Sequence, residues 1–165
     1  MKDHSNTALK VLKTMLEEEQ KRKHPNFPPH CLPPVKVSDK SANGLTKCIV
    51  DFLNLSNCQA ERISTTGRWV DESYTYTNVM GQQRKAGSGR YIKGQGTRGS
   101  ADISATINGK SVKIEVKYGK DRQSEHQKAY QEAIEKAGGT YYIARDFQSF
   151  FDWYNNFINF AKCTK

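Results

Sequence analysis

Proline is missing from most of the chain. Pro25, Pro28, Pro29, Pro33 and Pro34 all lie between residues 25 and 34, so no later helix or strand interior loses a backbone N–H to proline. Metal-binding patterns of the zinc type are also missing. Cys31, Cys48, Cys58 and Cys163 form no C-x-x-C pair, and His4, His24, His30 and His126 have no ligand spacing. Scattered thiols of this kind suit a reducing, cytoplasmic compartment. No apolar run approaches the roughly 18 residues of a membrane span, and no leader pattern opens the sequence, so no membrane partner is expected. Between Asn78 and Ser100 there is no acidic residue at all.

Positive charge, by contrast, is abundant. A formal net charge of +9 on 165 residues points to a polyanionic partner, nucleic acid first. The length allows one domain with a real core.

The stretch with the most chemistry runs from Gly99 to Lys117. Asn108-Gly109, flanked by β-branched residues, predicts a hairpin with a type I′ turn, which needs φ > 0 at both central residues. A two-residue loop fixes the register. Ile107 then pairs with Lys110, Ala105 with Val112, Ile103 with Ile114 and Ala101 with Val116, giving an apolar face. Thr106–Ser111, Ser104–Lys113 and Asp102–Glu115 make the other face, and Lys117 extends it. Two carboxylates directly opposite each other, with Cβ atoms about 4.5–5.5 Å apart, repel. Protonation, a salt bridge or a bound cation relieves such a pair. Hard oxygen ligands beside a lysine favour Mg²⁺ or Mn²⁺. The plainer alternative is a solvated face on which Lys113 and Lys117 neutralise the acids.

Elsewhere the pattern predicts a helix over residues 7–23, with Ala8, Val11, Leu12, Met15 and Leu16 as its apolar stripe. This stripe suits packing on the main body or a partner helix. The division expected is a helix at 1–24, a proline-rich linker at 25–38 and a main domain at 39–165. Asp39 or Ser41 caps a second helix reaching about Leu55. Ala60 to Thr66 reads as a strand, and Trp69-Val70 and Tyr74-Thr75-Tyr76 are β-like. Residues 78–98 form a glycine-rich loop carrying Arg84, Lys85, Arg90, Lys93 and Arg98, placed to neutralise phosphates, with Tyr91 placed to stack on a base. A disordered, solvated loop is the alternative. Lys120 and Arg122 follow the hairpin as further phosphate contacts. Ser124-Glu125-His126-Gln127 is a capping-box pattern opening a helix to Ala137, packed through Tyr130, Ala133, Ile134 and Ala137. Gly138-Gly139 ends it. Thr140 to Ala144 is a strand. Asp146 caps a last helix rich in aromatic residues, which form either a thick core layer or a dimer contact. The expected class is α/β, with a mixed β-sheet flanked by helices.

Asp102, then Glu115-Val116-Lys117 on the next strand, resembles the D…(D/E)-x-K signature of the PD-(D/E)xK nuclease superfamily, with Ala101 in place of the family's proline. Gly96-Thr97-Arg98-Gly99-Ser100-Ala101-Asp102, with Gln127-Lys128-Ala129-Tyr130 and Ala137-Gly138-Gly139, resembles its VRR-NUC branch. The resemblance covers about residues 45–144. It implies a restriction-endonuclease-like core in αβββαβ order and a Mg²⁺- or Mn²⁺-dependent DNA endonuclease. Asp102, Glu115 and the Val116 carbonyl would hold the metal. Lys117 would position or deprotonate the water, and Gln127 would help hold that water or Lys117. A plain capping role for Gln127 stands beside this. Many relatives carry a glutamate near the start of the second helix. Asn43 and Gly44 stand there in this chain, and Glu61 is the candidate third acid. Small chains of this type resemble phage-like, structure-specific nucleases, for which a homodimer on branched or four-way junction DNA is expected. A nickase or end-processing nuclease is the alternative, and a non-catalytic DNA-binding protein is the alternative of another class.

Overall fold

The structure is a computed structural model that describes residues 7–65, 67–94 and 96–163, with no account of the side chains of 161–163. His4, the Cys163 side chain and the Thr66 end of the expected strand lie outside the described residues.

A four-stranded mixed sheet forms the centre. Its strands are β1 (Gln59–Arg62), β6 (Ile103–Ile107), β7 (Lys110–Val116) and β8 (Thr140–Ala144), in the order β1-β6-β7-β8. The first two pairings are antiparallel and β7–β8 is parallel. The hairpin register is as expected from Ile107–Lys110 through Ile103–Ile114. Asn108 and Gly109 take φ of 52° and 78°, the turn the dipeptide dictates. The strict alternation of small and β-branched residues sends Ile103, Ala105, Ile107, Val112 and Ile114 to one face, where all are buried.

α1 (Thr7–Lys23) packs on α2 (Ala42–Leu55) and α4 (Phe147–Cys163), and these two cover that face. Ala8 and Leu12 of the α1 stripe lie in the shared core and Met15 and Leu16 pack against it, but Val11 is exposed, because it falls at the edge of the stripe. Ser41 caps α2 by accepting from the Gly44 N–H at 3.0 Å. Asp39 instead accepts from the Phe147 N–H at the start of α4, where Asp146 accepts from the Ser149 N–H. The aromatic residues of α4 make a core layer: Phe52 lies edge-on to Phe147, Phe150, Phe151 and Tyr154, and Trp153 stacks on Tyr142 at 4.3 Å.

α3 (Glu125–Lys136) carries the chain from β7 to its parallel neighbour β8 and lies beside the polar face of the sheet. None of its residues is buried, and Ala133 and Ala137 are exposed where a packing face was expected. Its contact with the body runs along the half-buried stripe Gln127, Tyr130, Gln131 and Ile134, with Tyr130 edge-on to Tyr141. Gly138, at φ 80°, ends it in the left-handed region that glycine tolerates best.

Between β1 and β6 the chain runs out into four short strands. β2 (Arg68–Asp71) pairs with β5 (Gly89–Ile92), and β3 (Tyr74–Thr77) pairs with β4 (Gln83–Ala86), both antiparallel. Trp69-Val70 and Tyr74-Thr75-Tyr76 are strands as expected, and the expected loop over 78–98 supplies their partners at 83–86 and 89–92, making a β-ribbon. Its many glycines and bases hid the pairing, because no alternating apolar face marks strands that bury nothing.

Candidate active site

Asp102 sits just before β6, and the regular ladder stops one residue short of it. The expected Asp102–Glu115 and Ala101–Val116 pairings are replaced by a side-chain bond: Asp102 Oδ2 accepts from the Val116 N–H at 2.8 Å. The Asp102 carbonyl accepts from the Ile63 N–H beyond the end of β1. Asp102 is thus locked to the backbone of the strand that carries Glu115 and Lys117.

Glu115 is 1% exposed and Lys117 is 5% exposed, so the polar face is dry at this end. A solvated face does not describe it. Burying two charges costs several kcal/mol per ion unless each finds partners. Both do. Lys117 Nζ lies 3.1 Å from Glu115 Oε1 and 3.0 Å from Gln127 Oε1. Gln127 Nε2 donates to Glu115 Oε1, and the Tyr141 hydroxyl donates to Glu115 Oε2 at 3.4 Å. Lys113 turns away and donates to Ser104 Oγ at 2.6 Å.

Gln127 closes the cap of α3 and also reaches Lys117 and Glu115. Its Oε1 accepts from the Ser124 N–H while the Ser124 hydroxyl accepts from the Gln127 N–H, closing the capping box. The same amide bridges Lys117 and Glu115. Capping the helix and holding the site are therefore one arrangement.

The backbone in front of Asp102 enforces this geometry. Gly99 has φ 80°, and a Cβ built on it would lie 2.5 Å from the backbone C and O of His126 and 2.9 Å from the Gln127 N. Only glycine lets this turn press against the first turn of α3. Gly99→Ala is expected to cost about 1–3 kcal/mol of stability and to pull Gln127 off Glu115. Urea unfolding together with a cleavage assay checks this, and a variant matching wild type in both would refute it.

Burial, first, and the nearby Asp102 charge hold the Glu115 carboxyl above its ordinary range, against the opposing pull of Lys117 and Tyr141. Tyr141 is itself pushed up, by burial and then by Glu115. Because the folded chain binds the Glu115 proton more tightly than the unfolded chain, this group favours folding most at acid pH. That contribution falls as pH rises from the ordinary carboxylate range through the raised value. Metal-free melting curves from about pH 4 to about pH 8 should show this fall in wild type, and Glu115→Gln should lack it. Equal slopes in the two proteins would contradict the assignment.

The donors present fit a hard divalent cation. Asp102 and Glu115 offer carboxylate oxygens whose mutual repulsion a cation would relieve, and Mg²⁺ typically uses one or two carboxylates with waters and phosphates completing its shell. Ser100 Oγ, two residues before Asp102, is buried without a hydrogen-bond partner. Among the described residues no three of His, Cys, Asp and Glu gather into a group suited to a metal. Glu61 is exposed, opposite Ser104 on β1, and is not brought into such a group. Asn43 Oδ1 accepts from Arg62 Nη2 at 2.9 Å, so a cation already engages this position at the start of α2.

Two residues near the site escaped the sequence reading. Tyr141 lies beside Lys113 in the parallel β7–β8 register, on the face that Glu115 shares, and only that register reveals it. Asp121 Oδ2 lies 3.5 Å from Lys117 Nζ, on a loop with no periodic signal.

The basic residues divide into two groups. Arg98, Lys120 and Arg122 are exposed on the segments flanking Asp102 and Lys117. Arg84, Lys85, Arg90 and Lys93 lie in or beside the ribbon. There Lys85 pairs with Asp71 at 3.5 Å and Arg90 with Glu72 at 2.7 Å. No protein-family model matches the chain, and no curated protein or solved structure matches it either.

Proposed function

We propose that this chain is a metal-dependent DNA endonuclease of the PD-(D/E)xK type, with a restriction-endonuclease-like core. The observation that carries the reading is the dry cluster of Glu115, Lys117 and Gln127 beside Asp102. Four side chains from β7, the residue after it, α3 and the turn before β6 converge, with Asp102 bonded to the Val116 N–H between Glu115 and Lys117. The element order α2-β1-β6-β7-α3-β8, with the ribbon set between β1 and β6, supports the core assignment.

Asp102, Glu115 and the Val116 carbonyl would hold Mg²⁺ or Mn²⁺. Bound there, the cation would make water a better nucleophile and neutralise charge on the phosphate. Lys117, with Nζ 3.1 Å from Glu115 Oε1, would position or deprotonate the attacking water and steady negative charge in the transition state. Gln127 keeps Lys117 and Glu115 in register through its two amide atoms. No nucleophile–base pair suggests a covalent intermediate. Arg98, Lys120 and Arg122 would hold the phosphates next to the cut.

A structure-specific substrate, branched or four-way, and a homodimer presenting two sites belong to the same proposal. Among the described residues no helix is long and apolar enough to cross a membrane. The test is a panel of labelled linear, nicked, flap and four-way DNA with and without Mg²⁺, alongside light scattering for the mass. Preferred cutting of the branched forms supports the proposal. Cutting confined to nicked or end-bearing forms favours the nickase or end-processing alternative. Binding without cutting in Mg²⁺ or in Mn²⁺ put in its place favours the non-catalytic reading.

The bases of the ribbon make a separate prediction. Replacing Arg84, Lys85 and Arg90 by alanine should reduce the slope of log K against log salt by close to one unit for each phosphate that is no longer neutralised. Salt titration of binding in Ca²⁺ measures this. An unchanged slope would assign the phosphates to Arg98, Lys120 and Arg122.

A further inference from the structure

The ribbon is the largest part of the molecule that the site does not use. Its two ladders keep one register, from Arg68–Ile92 through Asp71–Gly89 to Tyr74–Ala86 and Thr77–Gln83. They are one hairpin, interrupted only around Glu72-Ser73 and Gly87-Ser88. The run from Arg68 to Thr77, at roughly 3.3 Å per residue, reaches about 30 Å. None of the described residues from 67 to 98 is buried.

The apex is ordered and apolar. Asn78 Oδ1 accepts from the Met80 N–H at 3.0 Å and the Gln82 N–H at 2.9 Å, while Asn78 and Gln82 close the backbone ring at 2.9 Å. Gly81, at φ 77°, completes the turn. This bonding presents Val79 and Met80 outward, at 105% and 78% exposure. Single exposed apolar residues need no explanation. Two at the tip of a hydrogen-bonded turn, on a projecting basic ribbon, do.

The shaft behind them says what they meet. Between Arg68 and Lys93 there are five basic residues and two acidic ones. Arg84 sits across from Tyr76, whose ring lies 6.2 Å from that of Tyr74. Nearer the root, Trp69 and Tyr91 are cross-strand partners and both are exposed. The Lys85–Asp71 and Arg90–Glu72 pairs are exposed and therefore weak, so phosphates can replace the acids. Cations with interleaved aromatic rings match a nucleic acid, whose phosphates take the charge and whose bases take the rings. A two-stranded ribbon also has the width of a DNA major groove. An apolar protein surface would leave these cations without partners.

We propose that the tip of this ribbon is a wedge for DNA. Val79 and Met80 enter the base stack at a step where pairing is already interrupted, and Arg84 and Tyr76 hold the adjoining backbone and base. Unstacking costs a few kcal/mol at an intact step and least at a disrupted one. The wedge therefore selects branched or nicked DNA over intact duplex. It deepens the nuclease reading and rests on it.

The test uses the full chain in Ca²⁺ with four-way and linear DNA carrying 2-aminopurine beside the branch step. Wild type should raise the fluorescence of the branched substrate. The Val79→Ser, Met80→Ser double variant, checked for an unchanged melting temperature, should give no rise. Its preference for branched over linear DNA should fall about tenfold. If the variant keeps both the rise and the preference, the wedge is refuted, and cleavage in Mg²⁺ would leave the nuclease reading standing. If wild type binds none of these DNAs, both fall. If light scattering shows that the variant turns a dimer into a monomer, the tip is a contact between copies and the wedge is refuted.

Discussion

Asp102→Asn is expected to abolish cleavage while leaving DNA binding in place. The substitution keeps an oxygen for the Val116 N–H, now bonded to Asp102 Oδ2 at 2.8 Å, so the turn before β6 should hold. What it removes is one of the two negative charges that a divalent cation needs. It also removes part of what raises the Glu115 pKa. The metal-free variant should therefore melt at the same temperature as wild type or above it near neutral pH, because the buried Glu115 then ionises at lower cost. Cleavage and thermal melting measured on one preparation separate the two effects. Full activity in the variant would remove Asp102 from the site. Lost activity with a large fall in melting temperature would make Asp102 a structural residue.

The second large effect is at Lys117. Lys117→Ala is expected to lower turnover by about 10²-fold or more, the scale of a missing charge stabiliser or general base. Metal affinity should change little, or rise, since a buried positive charge 3.1 Å from Glu115 Oε1 is gone. Glu115 keeps Gln127 and Tyr141 as donors, so its carboxylate is not left without partners. Isothermal titration with Mn²⁺ beside single-turnover cleavage distinguishes the cases. Metal binding abolished together with turnover would mean that Lys117 organises the ligands rather than acting on the water.

The hairpin was legible because its turn chemistry and its alternation agree. Asn108-Gly109 permits one tight turn, and Ile103, Ala105, Val112 and Ile114 allow only one register that buries them all. α2 was equally plain, since Ser41 and the stripe of Leu45, Ile49, Phe52 and Leu53 point to the same helix. The hairpin register also put Asp102, Glu115 and Lys117 on one face, and only the resemblance put Gln127 near them, but neither showed how they meet. Asp102 turns from the ladder to the Val116 N–H, and Gly99 just before it presses against α3, a contact between segments distant in the chain. The burial of Glu115 and Lys117 depends on α3 and on Tyr141, which no local pattern assigns to them. Of the ribbon, only Trp69-Val70 and Tyr74-Thr75-Tyr76 read as β-like and fall in β2 and β3, while β4 and β5 stayed hidden for the opposite reason. These strands bury nothing, so cross-strand pairing alone defines them, and a chain rich in glycine and arginine gives no periodic sign of that.

The most direct measurement is the cleavage rate of a four-way DNA followed against Mg²⁺ concentration, for wild type and Asp102→Asn together, with EDTA added at the end. The account predicts a rate that saturates with Mg²⁺ in wild type, stops on chelation and is absent in the variant. A rate that persists in EDTA or is equal in the variant would contradict it. So would a folded wild-type chain that cuts no four-way, nicked, flap or linear DNA in Mg²⁺ or Mn²⁺.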